Sequence, residues 1–167
     1  MLFFVKAPAW EIFVILLLPY VLSFFILSMP QDSSIPLFYL KTMILLGIWV
    51  YLSWLYSIGS LIHERYSEFV KPPIKRFRFC MTYNFVYSFC FIFGIIPFEI
   101  LMPFHLVDFV TMIYSLYFIS KLIITVGKKR KVKVQDYVGT LMFAWLYFIG
   151  IWFIQPRINR LFLSNDT

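Results

Sequence analysis

Apolar residues run in five long blocks, each broken off by a short polar or proline-bearing stretch. The blocks extend from about Trp10 to Met29, from after Pro36 to about Ile62, and from about Phe77 to Ile96. The last two extend from about Leu106 to Val126 and from Tyr137 to about Gln155. A helix needs about 20 predominantly apolar residues to cross the roughly 30 Å of a bilayer's hydrocarbon, and each block approaches that length. Strands are excluded as spans: a lone strand in lipid leaves its backbone unpaired, and the alternating ten-residue segments of a barrel are too few. The pattern predicts an all-α fold, a polytopic transmembrane helix bundle of five spans. It forms one domain over 1–167, because no linker or repeat divides the chain.

Helix-breaking residues set the expected boundaries. Pro19 is expected to kink the first span, and Pro30 to end it. The second is expected to project into water through His63, Glu64 and Arg65 toward Glu68, until Lys71-Pro72-Pro73 breaks it. Pro97 stops the third, and Glu99 and Pro103 fall in a short connection. Gly127 is the expected C-terminal cap of the fourth span, and Asp136 the N-cap of the fifth. Pro156 ends the fifth, leaving Arg157 and Arg160 in a short tail. A cleaved signal peptide is a poorer reading of the first block than a retained span. Glu11 interrupts the basic leader, the apolar run is long, and no A-x-A-like site precedes Pro30.

Composition supports lipid as the solvent: 62% of the 167 residues are hydrophobic, 22% aromatic and only 14% charged, against about 25% charged in soluble domains. The net charge of +7 does not point to nucleic acid, because the cations sit beside apolar spans and not on a polar domain. Arg65, Lys71, Lys75, Arg76 and Arg78 follow the second block, and Lys128, Lys129, Arg130, Lys131 and Lys133 follow the fourth. Cytoplasmic loops carry the Lys/Arg excess, so both loops are expected inside, with the N-terminus inside and the C-terminus outside. Under five crossings, Arg157 and Arg160 fall on the outer face. That conflict leaves one alternative, four crossings plus a first or fifth segment that enters and returns.

Candidate chemistry is sparse. Cys80 and Cys90 lie ten residues apart on one helix, too far to pair. His63 and His105 fall at opposite span ends, and no His, Cys or carboxylate cluster has metal-ligand spacing. Every ionisable residue of the spans, Glu11, Lys41, His63, Asp108, Lys121 and Asp136, is expected within about two turns of a span end. Protease, hydrolase and nucleotide motifs are missing, so no catalytic residue, metal or cofactor is implied. What remains are small or polar residues inside spans: Ser53 and Ser57, Thr111 and Ser115, Thr140 and Ala144, with Asn84 the most polar. These read as helix-packing seams in which Asn84 bonds to a neighbouring helix. Alternatively, Ser53, Ser57, Asn84, Thr111 and Ser115 line a polar path. Lys75, Arg76, Arg78, Lys128, Lys129, Arg130, Lys131 and Lys133 are the expected contacts for anionic lipid or a partner.

Three segments carry a resemblance. Tyr114-Ser-Leu-Tyr-Phe-Ile-Ser-Lys121, Asp136-Tyr-Val-Gly139 and Gly150-Ile-Trp-Phe-Ile-Gln-Pro-Arg-Ile-Asn-Arg160 resemble a group of small, uncharacterised multi-spanning inner-membrane proteins of Gram-negative bacteria. The likeness covers roughly the last 60 residues and implies a bacterial inner membrane, with no activity to transfer. Phe148 stands where that group often has proline. The leading expectation is a non-enzymatic accessory or scaffold subunit that acts through helix packing and contacts with membrane lipids, another membrane protein or a second copy of itself. A small carrier or channel for an uncharged or lipid-like solute comes second. An enzyme acting on lipid near His63 and Glu64 comes third.

Overall fold

Helix-forming apolar runs dominate the fold of this computed structural model, which describes residues 2–28, 35–67, 73–130 and 132–163. Among the described residues all regular structure is helical. Short α1 (Leu2–Lys6) leads into α2 (Ala9–Leu27), α3 (Ile35–Arg65) and α4 (Ile74–Phe93). After them come α5 (Phe98–Lys128), α6 (Val134–Trp145) and α7 (Tyr147–Leu163). Ala9–Leu27, Leu37–Arg65 and Phe98–Lys128 are long and apolar enough to cross a membrane. Both α3 and α5 have 31 residues, about 46 Å at 1.5 Å per residue, so each exceeds the hydrocarbon thickness. The stops expected at Pro30 and at Lys71-Pro72, the continuation to Glu68, and Lys131 lie outside the described residues.

Several boundaries differ from those read in the sequence, each for a local reason. Pro19 lies inside α2, which continues through it. The third segment stops at Gly94, not Pro97. Gly94 takes the left-handed conformation (φ 63°), and the Ile95 amide turns back to the Cys90 carbonyl. Glu99 and Pro103 belong to the first turns of α5 and not to a connection. At its other end α5 passes through Gly127 and is capped by Lys129 at φ 47°. Asp136 is not the N-cap of α6. It sits one turn inside, where its carboxylate accepts the Lys133 amide at 2.9 Å.

The fifth segment departs furthest from expectation: α6 and α7 form an antiparallel hairpin instead of one helix. Leu146 (φ −84°, ψ 58°) turns the backbone. The Phe143 ring then stacks on Phe153 at 4.4 Å, and Arg157 Nη1 donates to Thr140 Oγ1 at 3.0 Å. Gly150 permits this approach, because a Cβ there would run into the Phe143 carbonyl. The carbonyls closing α6 lack intrahelical partners; Met142 receives the Leu146 amide at 2.9 Å, and Ala144 receives the Tyr51 hydroxyl from α3 at 2.7 Å. α7 then continues through Pro156, so Arg157 and Arg160 are helical residues and not a tail.

The hairpin fixes which ends lie together. Beside the end of α3, the Tyr66 hydroxyl and Arg65 reach the Leu161 and Phe162 carbonyls of α7. Gln155 reaches the Phe4 and Ala7 carbonyls, which brings α1 and the start of α2 to the same end. The buried core also favours this half: Trp54, Ile58 and Ile62 of α3 join Phe77, Leu122 and Ile158. Toward the other end the first half of α5 packs mainly against α4, with Phe109 reaching Trp145 of α6. It leaves Phe98, Met102, Phe104, Leu106 and Phe109 half or more exposed.

Candidate functional site

The charged residues segregate by end. Lys75, Arg76 and Arg78 are exposed in the first turns of α4, next to the end of α3, while Lys128, Lys129, Arg130 and Lys133 are exposed where α5 passes into α6. The returning hairpin adds Arg157 and Arg160, which line a 290 Å³ cleft with Lys128 over an apolar floor of Ile123, Ile124 and Leu161. Lys128 and Asp136 form an ion pair at the base of the hairpin. That ammonium, and then the Lys133 amide, hold the Asp136 carboxyl below the ordinary carboxylate range. Neither arginine was among the expected lipid contacts. Their signal in the sequence is the conflict with five crossings, and the hairpin sets both arginines at the end that carries Lys128.

The seam residues divide. Ser57 and Ser115 are buried, and Ser115 donates to the Thr111 carbonyl of its own helix at 2.8 Å, as hydroxyls in lipid readily do. Ser53 is half-buried and stands apart from the α4–α5 contact. Asn84 bonds across helices: its Oδ1 accepts the Thr111 hydroxyl at 3.2 Å, and its Nδ2 donates to the Cys80 carbonyl at 2.7 Å. Asn84, Thr111 and Ser115 are thus brought together on facing sides of α4 and α5, with their polar atoms spent inside the protein.

Sequence reasoning missed a second constellation beside Asn84. Because α5 begins at Phe98, Asp108 lies ten residues, about 15 Å, inside this helix and not in its first turns. With His105, Tyr87, Ser88 and Asn84 it lines a cavity of about 200 Å³, walled by Ile48 and Leu52 of α3. The Tyr87 hydroxyl and His105 Nδ1 are 2.7 Å apart. Tyr83, Tyr87 and Phe91 stack in sequence one turn apart along α4. The available signal was the spacing of His105, Asp108 and Thr111 at three-residue intervals, which a single helix places on one face.

Among the described residues no group of three metal-ligating side chains forms. Fold and site together define an all-helical protein with three helices able to cross a membrane, a cationic end, and a carboxylate pocket in the opposite half. Compared with protein-family models, with curated proteins and with solved structures, the chain matches none.

Proposed function

We propose that the chain is a multi-pass inner-membrane protein that acts without catalysis, as an accessory or scaffold subunit, through helix packing and contacts between its basic end and anionic lipid or a partner protein. In this reading α2, α3, α4 and α5 cross the bilayer, while the α6–α7 hairpin enters from the basic side and returns. The α4 crossing is inferred from geometry: 20 residues, about 30 Å, connect the basic end of α3 to the far end of α5. One observation carries the proposal. Arg157 and Arg160 converge with Lys128 at the same end as Arg65, Lys75 and Arg76, and of the described cations Lys41, near the start of α3, stands at the other end, a distribution that the positive-inside rule reads as one cytoplasmic face. Both chain ends then face the cytoplasm.

Orientation is tested in a Cys80→Ser, Cys90→Ser background carrying Ile95→Cys, Lys129→Cys or Arg160→Cys, with an impermeant thiol reagent on intact cells. Only position 95 is expected to label. Labelling at 160 but not at 129 would restore five crossings and remove the proposal's main support. For the accessory role, purification in mild detergent decides: a monodisperse homo-oligomer with no other protein overturns it.

A further inference from the structure

The cavity between α3, α4 and α5 has a chemistry that neither packing nor the basic end uses. Most of its polar lining is already satisfied. Asn84 is engaged by Thr111 and Cys80, and Ser88 Oγ accepts Trp49 Nε1 at 3.2 Å while donating to the Phe85 carbonyl. The Tyr87 hydroxyl is held by His105 Nδ1. Two groups remain available: the Asp108 carboxylate, which has no hydrogen bond or ion pair among the described residues, and His105 Nε2 one turn away.

Asp108 is half-buried and faces the His105 imidazole at the cavity mouth, and a partly desolvated carboxylate favours a further partner of opposite charge. No Lys or Arg lines this cavity. Its remaining walls are aliphatic (Ile48, Leu52) and aromatic (Tyr87, Phe91), and aromatic faces attract organic cations once water is removed. At about 200 Å³ the space is smaller than the roughly 300–1,000 Å³ of ordinary ligand pockets, so it admits only a compact molecule. We propose that this cavity is a binding site for a small organic ammonium, its nitrogen on Asp108, its hydrocarbon against Ile48, Leu52 and Phe91, and its entry past the exposed His105. The inference is independent of which end faces the cytoplasm.

The test uses the full chain in detergent micelles, with cyclohexylammonium as probe, uncharged cyclohexanol as its isostere, and Trp49 fluorescence or calorimetry as readout. Cyclohexylammonium is expected to bind at least tenfold more tightly than cyclohexanol. Asp108→Asn, which keeps the shape, is expected to remove that preference without changing the melting temperature. Equal binding of the two probes overturns the proposal, as does an unchanged preference in Asp108→Asn. Full displacement of the amine by equimolar sodium or calcium ion overturns the organic-cation assignment. Should Asp108→Asn lower the melting temperature, Ile48→Trp fills the cavity from the α3 side, and retention of amine binding there counts against the site.

Discussion

Replacing Gln155 with alanine would leave the fully buried Trp54 indole without its acceptor at 2.9 Å and would remove the side-chain donor of the Phe4 carbonyl, while the Ala7 carbonyl keeps only Asn159. An unsatisfied buried donor costs about 1–3 kcal/mol. At roughly 2–4 °C per kcal/mol for a chain of this size, the melting temperature of Gln155→Ala in detergent should fall by several degrees. Adding Trp54→Phe should cost less than it does alone, because the two side chains share one bond. Asn84 and Thr111 form a second testable pair. Asn84→Ala is expected to cost about 1 kcal/mol and to reduce the effect of Thr111→Val on thermal unfolding, the Thr111 hydroxyl keeping only its bond to the Asp108 carbonyl. The Asn84 bond was legible from sequence, because an amide in an apolar helix has few ways to be satisfied. The pocket beside it was not: where Asp108 sits on the helix depended on α5 already running before Pro103, its sixth residue, and a proline reads from sequence as a helix start more readily than as a position inside one.

The α6–α7 hairpin rests on a backbone contact, so it can be tested at one atom. Gly150→Ala should force the two helices apart where Cβ meets the Phe143 carbonyl, costing about 1–3 kcal/mol as overpacking does, and should weaken the near-ultraviolet circular dichroism of the Phe143–Phe153 stack. Gly139→Ala on α6, where a Cβ meets open space, is the control and should do neither. The base of the hairpin is pH-dependent through Asp136. Its carboxyl is held below the ordinary value, so the stabilisation is complete above about pH 4 and is lost as pH falls through the lowered value. The difference in thermal unfolding between the unmodified protein and Asp136→Asn should therefore stay constant from pH 7 to 5 and shrink below about pH 4. Sequence periodicity located α2, α3 and α4 to within about three residues, began α5 eight residues late, gave no sign of α1, and joined α6 to α7. A window of apolar residues reads the same whether it forms one span or two shorter antiparallel helices. The difference lies in the ψ angle of Leu146 and in a cap supplied by Tyr51, 93 positions earlier in the chain.

For the molecule as a whole, the hairpin converts a charge imbalance into a surface. Five crossings would place Arg157 and Arg160 opposite the other cations. The observed fold sets them over Ile123, Ile124 and Leu161 beside Lys128, a cationic rim above an apolar floor, which is the shape of a phospholipid headgroup and the start of its chain. Lys128 is partly committed to Asp136. Arg157 is oriented by Thr140 but keeps most of its donors, so the two arginines should dominate this contact. Each basic residue near an anionic leaflet contributes about 1 kcal/mol, or about a fivefold change in lipid affinity. Arg157→Gln with Arg160→Gln should therefore weaken retention of phosphatidylglycerol over phosphatidylcholine by about one order of magnitude in native mass spectrometry. Lys75→Gln with Arg76→Gln, on the far side of the same end, should do so no more than additively. Inorganic phosphate should not compete at equal concentration, because the apolar floor rewards only a ligand that carries a chain. If the double arginine variant retains phosphatidylglycerol like the unmodified protein, the cleft is not a lipid contact, and the basic end acts through orientation alone.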